Sequence, residues 1–592
     1  MPTNIEENIQ ARLCGVVEHE WTVGRSNFSH DYSNFEAAID LFENERVERE
    51  YDWMSDIPLP EFAAQMLTQS SLDVAQYFQT RDFVETYVQD ASDEALLAAD
   101  AAEECINRTL NQRHIHYYQK FVRAKTMNNI GGSAIAKCWW NKQLGRFNFE
   151  VIDPRNVTMD KKYCYSLQDK DWIIIRGNKT VEDLKNMGKR YGYFNLDKLE
   201  EAHATGQTEA KTETTDRDEE IAPQVTNTPT PKDWDIYERY GKFWYLNGEP
   251  GIDQWNKPLP NARYEECVMT VAKNKSTKVL IGFHLQPYKC CRGERYRPLI
   301  RGLCYIHPTR DSGIGDGHYS RPLAIAINDT FNMSNDRVRL ATMPTLKGNK
   351  HTTEDTDSIY FEPGHMMELN TTDDVEEIKI EDNINGALTQ LGILTQKMQQ
   401  LTAIQPPQMG GSAEGGQTAT EVANVERNAN TRTNYKSVTW EYTFLNELYW
   451  IIQQMTWQFA TEEVGYKLMG DKAYEFNPNF DFFYKPLSQT IETEFSRNNK
   501  IRHLTNMMQM VASSPHPDMP IIFNYILSKI MILMGDEWEN IADKFLGEDV
   551  PLIPQETGTA PAGQPTGAGP SNQIGIPQSG QEIEARQGAL VA

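Results

Sequence analysis

Apolar side chains recur every three to four residues along some stretches of this chain and every second residue along others, and the two periods predict helices and strands respectively. From residue 94 to 127 a single amphipathic helix is predicted, with Leu97, Ala101, Cys105, Ile106 and Leu110, then Ile115, Tyr118 and Phe121, on related faces. The Gly131-Gly132 pair ends it. The period then shortens to two. Strands are predicted over 133–140, 146–152 ("RFNFEVI") and 171–176, with a turn at Asp153-Pro154. A short helix over 180–187 follows, with Thr180 and Asp183 three residues apart as its cap. Strands resume in "DIYERYGKFWYLNG", "EECVMTVAKN" and "TKVLIGFHLQP", joined by Asn-Gly and Lys-Asn turns.

Three long helices come next. The first starts at Ser320-Arg321-Pro322, a serine cap with proline in the first turn, and runs to about 342, where Met343-Pro344 stops it. The second spans 384–404, with Ile384, Leu388, Leu391, Leu394, Met398 and Leu401 in one stripe. The third begins at a capping box, Thr418 and Glu421, and continues to about 460. At 1.5 Å per residue they are ~33, ~32 and ~63 Å long. The second half of the third helix carries Tyr435, Val438, Tyr442, Leu445, Tyr449 and Ile452 at a three-four spacing. Its first half, "ANVERNANTRTN", is polar nearly all round, so it needs neighbours other than its own core. A nearly uncharged loop, "QPPQMGGSAEGGQ", precedes it.

Two segments lack the apolar content to pack. Residues 203–232 and the Gly/Pro-rich tail from 551 cannot bury enough surface to offset their ordering entropy, and both are expected to be mobile. A net charge of −26 argues against a protein that grips a nucleic-acid backbone over a broad surface. The start, "MPTNIEENIQ", has no basic segment followed by an apolar one, and the most apolar run, 521–534, is too short and polar to span a bilayer. Eight cysteines without a Cys-x-x-Cys pair read as reduced thiols in a cytoplasmic setting.

The chemistry expected of an enzyme is missing from the motifs. A phosphate-binding P-loop needs glycines and a lysine between a strand and a helix, and the loop before Thr418 has neither lysine nor strand. In "GYKLMGDKA" Asp471 stands where the lysine belongs, and "GIGDGH" reads as a turn before a helix. Cys290, Cys291, Cys304 and His307 lack zinc-ligand spacing, while His114 and His116 would point to different faces of their helix. No nucleophile or zinc-protease signature occurs. No enzyme, cofactor or metal is expected. One basic cluster stands out, Lys289, Arg292, Arg295, Arg297 and Arg301, interleaved with tyrosines; contact with another subunit is favoured over contact with DNA.

The order of these parts resembles the portal, or head-to-tail connector, proteins of tailed bacteriophages, most of all the short-tailed (podovirus-like) branch. The residues that carry the resemblance are "GGSAIAKCWWN", "FNFEVIDPRNVTMD" and "DWIIIRGNKTVEDLKNM", then "SRPLAIAINDTFNMSNDRVRLATMPTL", "IYFEPGHMMELN" and "GQTATEVANVERNANTRTNYKSVTWEYTFLNELYWIIQQM". It covers about residues 95 to 510, through weak single motifs in a fairly specific order. The resemblance implies an α+β, mainly helical portal fold with wing, stem, clip and crown, assembled as a ring of about twelve copies around a central channel. By it, 1–319 is the N-terminal wing with 203–232 as an insertion. Residues 320–342 and 383–404 are stem helices, and 343–382 is the clip. The stretch 405–417 is the tunnel loop, with Gln405, Gln408, Gly410, Gly411, Glu414, Gly415 and Gly416; its glycines allow conformational change. Thr418 and Glu421 cap the long helix behind it, within 418–496, which also holds return strands. Residues 497–550 form the crown, and 551–592 are a disordered tail.

The resemblance further implies a place at the unique portal vertex of a virion, after assembly in the host cytoplasm. The partners would be other copies, duplex DNA in transit, the terminase packaging motor, tail adaptors, and major capsid and scaffolding proteins, with no membrane. Lys397 is the one charged residue of the second stem helix beyond Glu381-Asp382, which makes it a candidate for the channel wall, and Glu414 would place an acidic ring in the loop. The family's longest members extend the C-terminus into a helical barrel; the Pro/Gly-rich composition here argues against one. The alternative reading is another ring-forming virion component of the tail or adaptor, though adaptors are too small to hold the helix, clip, helix, loop, long-helix order.

Overall fold

The two periods resolve into a mixed α+β fold in which helix is the more abundant. The computed structural model describes residues 5–45, 49, 51, 53–78, 82–90, 92–199, 233–253, 255, 257–274, 277–342, 346–348, 375–377, 384–404 and 431–487, with 502, 504–509, 526–527 and 530 beyond. The chain divides into two compact units, Met1–Ile491 and Glu492–Ala592. In the second, residues 504–509 are helical.

Strands dominate the middle of the first unit. β2 (Ser133–Asn141) pairs antiparallel with β3 (Arg146–Ile152) on one side and β10 (Leu299–Leu303) on the other. β3 buries every second residue, Phe147, Phe149 and Val151, as the "RFNFEVI" alternation requires. A larger sheet runs β4 (Val157–Met159), β5 (Trp172–Thr180), β6 (Asp233–Leu246), β8 (Arg263–Lys273) and β9 (Lys278–Leu285), with β7 (Glu249–Pro250) hairpinned onto β6. That hairpin turns at Asn247-Gly248, both at positive φ, as the sequence asks. α6 (Val181–Tyr191) starts where expected, with the Thr180 hydroxyl accepting from the Asp183 N–H at 3.1 Å.

Helices cover these sheets. α1 (Glu7–Asn27) lays Leu13, Val17 and Trp21 onto the large sheet, where Trp21 meets Tyr237 edge to face at 5.0 Å. α2 (Ser29–Glu43) and α3 (Glu61–Tyr77) pack beside the helix over Tyr117–Gly131. The helix expected over 94–127 is two: α4 (Asp93–Leu110) and α5 (Tyr117–Gly131). A short 3-10 turn, Arg113–Ile115, separates them, and His116 takes a left-handed conformation at φ 53°. Apolar residues on both sides kept the period alive across a turn that only backbone geometry marks. Gly132 ends α5 at φ 90°, and a Cβ there would collide with the Gly313 carbonyl, so this crossing of two backbone segments requires glycine.

Two further expectations are corrected. The helix placed from Ser320 starts at Asp316, giving α7 (Asp316–Thr342) with Pro322 inside it; the Ser320 hydroxyl is buried without a partner and caps nothing. The long helix is irregular: residues 431–440 are α-helical, Glu441–Leu445 form a π turn, and Asn446–Phe459 complete α9. The extra residue shifts the helix face. Tyr435, Val438 and Tyr442 of the expected stripe are exposed, while its Leu445, Tyr449 and Ile452 enter the main core beside Trp440, Phe444, Leu448, Ile451 and Met455, with Phe121, Phe147 and Phe149. α10 (Glu462–Met469) follows, and β13 (Phe482–Pro486) returns to pair with β1 (Val84–Val88).

Candidate functional site

The candidate site is a helix pair with a small strand pair between its members in sequence. α7 leads to β11 (Leu346–Gly348), and β12 (Val375–Glu377), antiparallel to β11, leads back to α8 (Ile384–Thr402). Leu323, Ala324 and Ile327 from the start of α7 pack with Leu391, Leu394 and Met398 from the later turns of α8, so the two helices run antiparallel. Ala38, Phe62, Met66 and Ile130 of α2, α3 and α5 close this cluster from below. Away from that base the pair has little covering. Ile325, Met333 and Val338 on α7 and Leu388 and Ile393 on α8 are exposed, Met333 at 68%. A Cβ at Gly386 or Gly392 would meet nothing within 4 Å. Apolar side chains this open on two long helices need a further surface.

A second feature of α7 was legible in the sequence but not recognised. Asn328, Asn332 and Asp336 recur at four-residue intervals and hold the segment before α3. Asn328 Oδ1 accepts from the Leu59 N–H at 2.9 Å, and Asn332 bonds both backbone groups of Ile57, at 3.0 and 3.1 Å. Asp336 accepts from the Ser55 N–H. A stripe of Asn and Asp side chains at helical spacing is a signal for such a docked strap of chain.

At the base of the pair lies a buried polar seam. The Lys436 ammonium of α9 donates to Asp316 at 2.9 Å and to Gln69 at 3.2 Å; Gln69 continues to Asp73, and Asn129 donates to Asp73 at 2.7 Å. Thr402, at the end of α8, donates to Gln65 at 2.8 Å. The seam thus joins the start of α7, the end of α8, and α3, α5 and α9. Burial by itself would lower Lys436, but the Asp316 carboxylate more than offsets it and holds the ammonium above the ordinary lysine range. Lys125, also buried, stands 4.0 Å from Asp73 and over the Trp440 ring at 5.3 Å.

Of the residues singled out from sequence, Lys397 lies exposed on α8, bonded to Gln400 at 3.2 Å. The loop residues Gln405, Gln408, Gly410, Gly411, Glu414, Gly415 and Gly416, and the caps Thr418 and Glu421, lie outside the described residues, as does nearly all of 343–382, 203–232, most of 497–550, and 551–592. The basic cluster does not act as one surface. Arg297 is 1% exposed, clamped on Glu266 at 2.8 Å and on the Leu167 carbonyl at 3.0 Å. Arg301 is buried against Asp311 and the Cys164 carbonyl. These two guanidiniums are taken up within the chain, which corrects their assignment to a partner or DNA contact. Arg295 is half-buried, beside Glu265 and the Gln286 carbonyl. Lys289 and Arg292 stay exposed, Arg292 paired with Asp481.

None of the eight cysteines is bonded to another, and burial pushes Cys105 up to about 11 and Cys304 up to about 12, far from thiolate chemistry at neutral pH. Among the described residues no three metal-ligating side chains come together, and no helix is long and apolar enough to cross a membrane. No protein-family model matches the chain, and no curated protein matches it in sequence.

Proposed function

We propose that this chain is the portal protein of a tailed bacteriophage. About twelve copies form a ring at one capsid vertex, where the ring conducts duplex DNA during packaging and ejection. It also docks the packaging motor and the tail. The observation that carries this reading is the antiparallel α7–α8 pair with the β11–β12 ladder between its members in sequence, anchored at one end and apolar on its open flanks. In the proposed ring α7 and α8 are the stem helices, and their exposed Met333, Val338, Leu388 and Ile393 meet the next copy. A heterologous contact of that kind closes into a ring when the rotation per copy divides the circle. The acidic balance suits a conduit, since a wall of like charge gives the DNA backbone little to adhere to. The role is structural rather than catalytic, in the virion. Native mass spectrometry of the purified chain is the test: a closed assembly of about twelve copies supports the reading, and a chain that stays monomeric with capsid and scaffolding proteins present overturns it.

A further inference from the structure

The face of the large sheet that looks toward β2 and β3 sets polar side chains among Ile175, Ile236 and Val268, where two packed sheets would ordinarily bury apolar ones alone. Alternation brings Lys179 of β5, Glu238 and Tyr240 of β6, Thr270 of β8 and His284 of β9 onto that face, and Gln286 follows just past the end of β9. Between them and Lys137 and Trp139 of β2 lies a cleft of about 510 Å³. That volume is in the range of small-molecule sites, and far above what one or two waters occupy.

The polar groups are built rather than incidental. Lys137 and Glu238 form an ion pair inside the fold, and the Tyr240 hydroxyl donates to the same carboxylate at 2.8 Å. Gln286 is 1% exposed; its amide nitrogen donates to the Tyr296 carbonyl at 2.8 Å, while its Oε1 is buried without a partner. A buried acceptor left open costs about 1–3 kcal/mol unless something donates to it. His284 Nδ1 lies 2.9 Å from the Leu285 carbonyl, an acceptor, so Nδ1 carries the hydrogen and Nε2 is left as an acceptor. Burial lowers the His284 pKa and keeps the ring neutral. One part of the cleft therefore offers acceptors that ask for N–H donors. Lys179, half-buried, supplies positive charge elsewhere on the lining, while Arg176 is paired with Asp235 at 3.1 Å, and Trp139, Tyr240 and Tyr288 supply ring surface. Glu150 lines the cleft as well, and a carboxylate there can accept from sugar hydroxyls.

We propose that this cleft binds a small planar ligand with N–H donors at one end and an anionic group at the other, of the nucleoside monophosphate class. The base lies among the rings with its amino group on Gln286 Oε1 and His284 Nε2, and the phosphate faces Lys179. Nothing in this assignment depends on ring assembly.

Isothermal titration calorimetry of the full chain, with AMP, adenosine and inorganic phosphate as probes, tests it. The expected result is saturable AMP binding at one per chain, weakened about tenfold in adenosine, with no heat from phosphate alone. Lys179→Ala should weaken AMP about tenfold and leave adenosine unchanged, while Gln286→Leu weakens both. Because Gln286 also supports Tyr296, its variant is read alongside its melting temperature, and the half-buried Lys179 variant decides the matter if that fold suffers. AMP that produces no heat at millimolar concentration, showing a cleft filled by water alone, would overturn the proposal. So would AMP binding that Lys179→Ala leaves untouched, or equal affinity for AMP and adenosine.

Discussion

Lys436 shows what a single side chain carries in this fold. Its ammonium is fully buried, and Asp316 and Gln69 are its partners at the point where α7 begins. Removing one member of a buried pair leaves the other charged and unpaired, which costs about 3–5 kcal/mol, whereas removing both is near neutral. Lys436→Met should therefore lower the urea midpoint of the first unit sharply, and adding Asp316→Leu should recover most of the loss. A double variant no better than the single would show that the pair is not coupled. His284 gives a pH signature. Burial lowers its folded pKa, so below the ordinary value of about 6.5 the unfolded chain takes up a proton that the folded chain refuses. Stability should fall as pH drops through about 6.5 toward the lowered folded value, and His284→Gln should flatten that slope in urea titrations at pH 7 and 5.5. An unchanged slope would assign the acid sensitivity elsewhere.

At the scale of elements, the exposed flank of the α7–α8 pair is the part a ring would use. Met333→Lys and Leu388→Lys should each change monomer stability by no more than about 0.5 kcal/mol, as surface substitutions do, yet abolish or shift the assembly seen by light scattering. Wild-type assembly in both variants would place the interface on another face. The same elements show how far the sequence could be read. Strand alternation in "RFNFEVI", the Thr180 cap and the Asn247-Gly248 turn were legible because each is a local rule that the fold obeys. The break at His116 and the π turn at Glu441–Leu445 were not, because both are backbone choices made for tertiary packing while the apolar period runs on past them. Of the expected stripe, Tyr435 and Tyr442 lie at the surface while Leu445, Tyr449 and Ile452 are buried on the far side of the π turn's start. Arg297 and Arg301 looked like a basic surface for a related reason: composition places them in a cluster, and only the fold sets Glu266 and Asp311 against them. Of the candidate site, α8 was legible from its apolar stripe and α7 from the proline signals near its two ends, but the Lys436 seam that ties them to α9 joins residues more than a hundred positions apart.

The whole molecule carries a net charge of −26, and a ring of twelve would carry on the order of −300 charges. A duplex passing such a wall should find no phosphate clamp. Fluorescence anisotropy of a labelled duplex at physiological salt should give a dissociation constant weaker than about 0.1 mM, the weak limit of non-specific binding. Micromolar binding would mean a concentrated basic surface that the conduit reading does not contain. The most direct measurement is cryo-electron microscopy of the purified protein viewed down its symmetry axis. The account predicts a closed ring of about twelvefold symmetry in which α7 and α8 line a hole wide enough for duplex DNA. A ring with those two helices on its outer rim, or a closed particle with no axial hole, would contradict it.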